Sequence, residues 1–229
     1  MPRFITFRFD DGLIHSAHQA VRLLHPSAGS FFLITGLVEE SIASKNIAEL
    51  INAQFGTLRE WEILSARGHD IQSHSVTHPL FTRLAITKQI EEIQLSLKVI
   101  QQIHAGPYAF CYPYNALTSL DFASLRISAA GFETRASDCE VLFNVLDNSF
   151  DRFRLRSWAV RERDFNVVVD QLRNAVPDQS WTILAFHGLD GEGYEPWASQ
   201  SFSDLLGIVR EFGYQITTVG QMARREYVF

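Results

Sequence analysis

The stretch RFITFRFDDGLIHSAHQAVRLL, residues 3–24, contains the first change from strand to helix in the chain. Its apolar residues alternate with polar ones at first, and this period of two predicts a β-strand over about 3–9. The apolar positions then recur every three or four residues, which predicts a helix over about 13–25. Asp10 and Asp11 therefore lie on a strand-to-helix turn. Adjacent carboxylates are costly unless a cation or a shared proton relieves them, although an ordinary Asp-Gly turn is the other interpretation.

Composition limits the class of protein. The chain has 229 residues, 46% of them hydrophobic, which predicts one α/β domain over 1–229. A formal net charge of -6 without a basic cluster argues against a nucleic-acid partner. No apolar run is long enough to span a bilayer, no secretory signal precedes the first strand, and Cys111 and Cys139 form no CxxC pair. We therefore expect a cytoplasmic protein, and its oligomeric state is not readable from the sequence.

The rest of the chain continues the alternation of strands and helices. Strands are predicted at 29–36, 69–74, 108–113, 131–137, 153–158, 181–188 and 214–219, and helices at 57–68, 84–104, 119–130, 166–175 and 201–212, before a short final helix. Such regular alternation is typical of a parallel sheet covered by helices, either an open doubly wound sheet or a closed barrel. In both architectures the functional loops follow the carboxyl ends of the strands.

Four predicted strands end beside polar side chains that can carry chemistry: Asp10 and Asp11, His74 and His78 in HSVTH, Tyr114 in CYPYN, and His187 in ILAFHG. The HSVTH spacing places two imidazoles on one side of a helical turn, as in the HExxH zinc motif, but Ser75 replaces the Glu that acts there as base. Two histidines and one aspartate form a ligand set that leaves positions open for water and substrate. A bound dication would also relieve the carboxylate pair. A chance pair of histidines is the alternative interpretation.

These motifs resemble those of the NodB-homology polysaccharide deacetylases, carbohydrate esterase family 4. The family motif TFDDG reads RFDDG here, H-S/T-x-x-H reads HSVTH, R-x-P-Y-G reads CYPYN, and the final strand ending in His reads ILAFHG. The resemblance implies a single-domain distorted (β/α) barrel. It also implies metal-dependent removal of acetyl groups, chiefly N-acetyl, from a carbohydrate, an oligosaccharide or a sugar-containing precursor.

The resemblance further implies roles for individual residues. Asp10 is implied as the catalytic base and His187 as the general acid. The backbone amide of Tyr114 is implied to stabilise the oxyanion. The metal, usually Zn²⁺ but in some cases Co²⁺, Ni²⁺ or Mn²⁺, would be held by three side chains: Asp11, His74 and His78.

The sequence departs from the family in three places. Cys111 stands where many members have an Arg that pairs with the base carboxylate, and Asn115 stands where they have a Gly. The Asp-Trp fourth motif is missing, and RLRSW is the nearest segment. We predict that Arg154 or Arg156 supplies the missing positive charge and that Trp158 forms an apolar wall.

The segment HGLDGEGYEPW, which starts at His187, is acidic, aromatic and rich in glycine. It is either an ordinary surface loop or a substrate wall in which Tyr194 or Trp197 stacks on a sugar ring. Two other functions stay open at this point. One is hydrolysis of a different C–N bond, in a cyclic amide or a formamide, and the other is carbohydrate binding without catalysis. A pure binding domain does not need Asp10 or His187, which counts against the second.

Overall fold

Strands and helices alternate along the chain. The computed structural model describes residues 2–38, 52–116, 118–120, 143–174 and 176–224, and the backbone of 128–135. Within them the strands are β1 (Arg3–Phe9), β2 (Ser30–Leu33), β3 (Asp70–Ser73), β4 (Ala109–Cys111), β5 (Ser128–Arg135), β6 (Asn144–Val145), β7 (Leu155–Ala159), β8 (Ser180–Phe186) and β9 (Gln215–Ile216). The helices are α1 (Ile14–Leu24), α2 (Leu58–Ala66), α3 (Ile86–Ile103), α4 (Phe165–Asn174), α5 (Ser199–Glu211) and α6 (Val219–Arg224).

Parallel pairings close the sheet into a ring. β1 pairs with β8 along its whole length, and further parallel pairs run from β1 through β2, β3, β4, β5 and β7 back to β8. The other edge of β1 is shared, because β9 pairs with its first half and β2 with its second half. The short β6 pairs antiparallel with the start of β8. These partial strands distort the closure, so the predicted distorted (β/α) barrel is confirmed.

Strand β1 is buried on both faces, as is usual for strands covered by helices outside and by side chains inside a barrel. Phe7 and Phe9 pack in the larger apolar cluster with the helices, whereas Phe4 joins the cluster inside the ring. Thr6 and Arg8 share the inward face with Phe4 and are also buried. Polar groups inside the barrel therefore continue directly into the rim that carries Asp10.

Helix α1 packs on the sheet through one apolar face. In α1 the buried apolar residues recur at spacings of three and four (Ile14, Ala17, Ala20 and Leu24). Helix α2 starts with a capping box, in which the Thr57 hydroxyl accepts from the Glu60 amide and the Glu60 carboxylate accepts from the Thr57 amide. Of the helices within the described residues, none has the length and apolarity that a membrane crossing requires.

The predicted and observed elements differ in two places. The helix predicted at 119–130 is wrong at its end, because β5 begins at Ser128, while residues 121–127 lie outside the described part of the chain. Strand β6 was not predicted, since two residues are too short to show a period.

Candidate metal and catalytic site

Three side chains that follow β1 and β3 meet at the carboxyl rim of the barrel. Asp11 Oδ1 lies 3.7 Å from His74 Nε2 and 3.7 Å from His78 Nε2, and the two imidazole centroids are 4.8 Å apart. Their ligand atoms all lie within 4.8 Å of one another. Zinc bonds of about 2.1 Å in a tetrahedral site place ligand atoms about 3.4 Å apart. The group therefore fits a divalent ion with small movements of the side chains.

Each imidazole has a nitrogen facing the carboxylate. His74 Nδ1 lies 2.9 Å from the Cys111 carbonyl oxygen, which can only accept, so Nδ1 carries a proton. In the neutral tautomer this leaves the lone pair on Nε2, the nitrogen that faces Asp11. Burial, followed by the neighbouring His74 imidazole, lowers the pKa of His78 to about 3, and the Asp10 carboxylate acts in the opposite direction. At pH 7 the His78 ring is therefore uncharged. Neutral imidazole is the form that binds a metal.

The HSVTH segment is a non-helical turn, so the prediction that its two imidazoles share a helical turn is wrong. Ser75 and His78 have positive φ angles, at 71° and 55°. Both imidazoles approach Asp11 from this turn. The turn is held by Glu92 of α3, whose carboxylate accepts from the amides of Val76 and Thr77. Glu92 was missed in the sequence analysis, since nothing in the spacing of a helix surface Glu indicates such a contact.

Unusual backbone angles also occur in the other loops of this rim. Asp11 has a φ of 73°, and Tyr114 and Asn115 have values of 56° and 53°. Non-glycine residues in this region carry strain that the surrounding structure must offset, and such residues cluster at functional sites. The loops that carry Asp11, His78 and Tyr114 therefore share this strained backbone conformation.

Asp10 lies beside the metal-ligand group and is almost fully buried. Its Oδ2 accepts from Arg8 Nη2 at 2.7 Å and lies 3.8 Å from Cys111 Sγ. Its Oδ1 is buried and has no hydrogen-bond partner among the residues that the structure describes. Arg8 Nη1 donates to Ser157 Oγ at 2.8 Å. One carboxylate oxygen is thus anchored and the other is open to accept a proton.

The charge that pairs with Asp10 comes from Arg8, so the expectation that Arg154 or Arg156 supplies it is corrected. Both of these arginines are exposed, and Arg156 lies on the opposite face of β7 from the inward Ser157. Trp158 has the same outward direction as Arg156 and is fully buried in the cluster between the sheet and the helices. It is a core residue and forms no wall of the site.

A second group of possible ligands overlaps the first. Asp10, His74 and Cys111 also have ligand atoms within 4.8 Å of one another. The Arg8 guanidinium at 2.7 Å from Asp10 repels any cation placed there. The group with Asp11 and His78 is therefore the better metal site.

Two tyrosine rings pack against the candidate site histidines. The Tyr114 ring is 51% exposed and its centroid lies 4.6 Å from that of His78. The Tyr194 ring is half-buried and packs edge-on against His187, 5.3 Å away. His187 is in turn close enough to His78 to contribute to the low pKa of that residue. The candidate general acid, two of the candidate metal ligands and two aromatic rings are therefore neighbours at this rim.

Hydrogen bonds from helix α1 hold the loop that carries Tyr194. The Glu192 carboxylate accepts from both the amide and the hydroxyl of Ser16, each at 2.6 Å. Gly188 is needed at the start of the loop, because a Cβ there would lie 1.8 Å from the Glu192 carbonyl oxygen. Trp197 is 1% exposed, packs 5.0 Å from Phe186 and donates to a backbone carbonyl, so its predicted stacking on a sugar is wrong.

The two aromatic residues of this loop should respond differently to truncation. Trp197→Ala is expected to lower the free energy of unfolding by about 4 kcal/mol, since it empties a core position. Tyr194→Ala should cost about 1 kcal/mol or less and should instead raise KM for a carbohydrate substrate. Urea unfolding and steady-state kinetics measure both effects. A stable Trp197→Ala protein with a raised KM would contradict the assignment of Trp197 to the core.

The fold and the site define the class as a distorted (β/α) barrel of the NodB type. The sequence profile of the family described as "Polysaccharide deacetylase" matches residues 2–128, more than half of the chain, and the chain belongs to this family. A comparison with curated proteins gives no significant match.

Solved structures with the same fold come from carbohydrate esterase family 4. The Xyl-CE4 domain of a multidomain xylanase from the hindgut metagenome of Trinervitermes trinervoides is 16% identical, with a TM-score of 0.60 over 97% of this chain and 90% of that one. Peptidoglycan deacetylase PdaC from Bacillus subtilis is 18% identical, with a TM-score of 0.60 over 96% and 90%. A CE4 family pseudoenzyme from Bacillus anthracis is 12% identical, with a TM-score of 0.62 over 97% and 66%. At these identities the likeness concerns the fold alone.

Proposed function

We propose that this protein is a metal-dependent deacetylase that removes acetyl groups, chiefly N-acetyl, from a carbohydrate, an oligosaccharide or a sugar-containing precursor. Membership of the polysaccharide deacetylase family supports the reaction class. The observation that carries the proposal is the geometry of Asp10. Its partnerless Oδ1 lies beside a three-ligand group whose atoms suit a divalent ion.

Asp11, His74 and His78 would hold the ion, with Zn²⁺ as the first choice and Co²⁺, Ni²⁺ or Mn²⁺ as alternatives. Two imidazoles and one carboxylate are the mixed donor set of catalytic zinc sites. When bound, such an ion supplies Lewis acidity to the acetyl carbonyl and lowers the pKa of a water.

The chain's own groups supply the proton transfers. Asp10 Oδ1 accepts the proton of the attacking water, while Oδ2 stays on Arg8. The backbone amide of Tyr114 donates to the oxyanion that develops on the carbonyl oxygen as the water adds to the carbonyl carbon. His187 then protonates the departing amine, which is too basic to leave as an anion. The Tyr114 and Tyr194 rings provide apolar surfaces for the sugar.

Acetate release from defined substrates tests the proposal. The panel is N-acetylglucosamine oligomers, peptidoglycan fragments and O-acetylated xylan, assayed with the zinc-loaded protein, after chelation, and after zinc is restored. We expect release from at least one N-acetylated substrate, its loss on chelation and its return with zinc. His15→Ala, a change to an exposed histidine away from the ligand group, is the control and should behave like the wild type.

Other results would favour the other functions. Tight zinc binding with no acetate from any substrate, but with hydrolysis of a formamide or a cyclic amide, would move the protein to a different C–N hydrolase. Sugar binding with no hydrolysis at all would make it a non-catalytic relative, as the Bacillus anthracis pseudoenzyme is by its description.

A further inference from the structure

The ion pair between Arg8 and Asp10 lies inside the barrel. The side chains are 1% and 4% exposed, and their closest atoms are 2.7 Å apart. A carboxylate buried this deeply needs a compensating charge, because an unpaired ion in the interior is strongly destabilising. The guanidinium is itself fixed by the Ser157 hydroxyl at 2.8 Å and by the face of Phe32, whose centroid is 5.8 Å away.

Residue 111 approaches the same carboxylate oxygen from another strand. Cys111 is fully buried on β4, and its Sγ lies 3.8 Å from Asp10 Oδ2. This is the position at which many relatives carry the Arg that pairs with the base. A second guanidinium at position 111 would share this carboxylate oxygen with Arg8 and bring two like charges together in the interior. A small neutral side chain at position 111 is therefore what the Arg8 pairing requires.

Two departures from the family motifs thus occur at two positions that lie beside Asp10 Oδ2. The first motif has Arg8 where the family has Thr, and the third has Cys111 where the family has Arg. We propose that these changes compensate each other. Arg8 is a positioning residue that supplies, from β1, the charge that relatives supply from β4. Its effect on catalysis, though not its pairing with Asp10, rests on the proposed function.

The position of Arg8 decides which oxygen of Asp10 is available. Arg8 lies two residues before Asp10 on the same strand and holds Oδ2 from inside the barrel. Oδ1 is left for the water on the rim. Loss of Arg8 should free the carboxylate to rotate, which lowers kcat more than it changes KM because the substrate walls stay in place.

A charge exchange between the two strands tests this inference. The variants are Arg8→Thr, Cys111→Arg and the double variant R8T/C111R, each with zinc and after chelation. Arg8→Thr should lower Tm by about 10 °C and kcat by about 100-fold. KM should change little, and the zinc content should stay at the wild-type level, since Asp11, His74 and His78 are intact. The double variant should regain most of the lost Tm and kcat.

Cys111→Arg alone should be less stable than the wild type, because it places a second guanidinium near Arg8 in the interior. We expect this loss of stability even though Arg is the residue that many family members have at this position. Arg156→Thr, at an exposed position on β7, is the matched control and should leave Tm and kcat unchanged. If Arg8→Thr does not fold, folding of the double variant is itself the expected rescue.

The inference is overturned if the double variant is no better than Arg8→Thr in either Tm or kcat, or if Arg8→Thr matches the wild type in both. The Tm measurements on these variants do not depend on which reaction the protein catalyses. A wild type that releases no acetate, together with rescue of Tm in the double variant, would refute the proposed function and uphold the role of Arg8.

Discussion

Asp10→Asn should lower kcat for acetate release by about 10³-fold, while zinc content stays at the wild-type level. The amide oxygen of Asn can still accept from Arg8, so the buried guanidinium keeps a partner and the protein should fold. The amide cannot take the proton of water, and this step is what the partnerless Oδ1 of Asp10 is placed to perform. Steady-state kinetics with metal analysis of the same sample measure both quantities.

Asp170→Asn is the control for this change, because Asp170 is exposed on α4 and its carboxylate accepts from the side-chain amide of Asn174. It should leave kcat and metal content unchanged. An Asp10→Asn protein with wild-type kcat would show that another group is the base. A protein that had lost its zinc would show instead that Asp10 is a ligand.

Asp11→Asn should weaken zinc binding by more than about 100-fold, since loss even of a residue that only supports a ligand costs 10 to 100-fold. The carboxylate is the only negative charge in the three-ligand group, so its loss removes the charge that attracts the ion. Asn tolerates the φ of 73° at this position, whereas other side chains are strained there. The backbone should therefore keep its course.

Competition with a chromophoric chelator measures the affinity. Asp190→Asn is a matched control, since Asp190 also has a positive φ, at 50°, and lies in the loop after His187 without facing the ligand group. Unchanged zinc affinity in Asp11→Asn would contradict the assignment of the metal site. Equal weakening in the control would point to a disturbed rim rather than to a lost ligand.

The sequence predicted the alternation of the elements because each carries a clear period. It also grouped Asp11 with His74 and His78, since strand ends in parallel sheets share one edge. It did not decide between an open sheet and a closed barrel. Closure depends on the pairing of β1 with β8, which joins residues about 177 positions apart, and no local pattern carries that information.

Arg8 was the main omission within the site. In the sequence it is a polar residue in an alternating strand, which suggests a solvated face. Its partner Ser157 is 149 residues away, so the burial of both is visible only in the folded barrel. The stacking role given to Trp197 was wrong for a related reason. An aromatic residue in a glycine-rich segment gives no sign of whether its loop turns outward or back onto the core.

Anomalous diffraction from zinc-loaded crystals would locate the metal and identify its ligands. We expect one zinc ion about 2.1 Å from a carboxylate oxygen of Asp11 and from Nε2 of His74 and His78, with Asp10 outside its coordination sphere and still paired with Arg8. Zinc bound to Asp10, His74 and Cys111 instead would contradict this prediction, because the proposed base would then be a ligand. Absence of zinc from the rim at saturating concentration would contradict it as well.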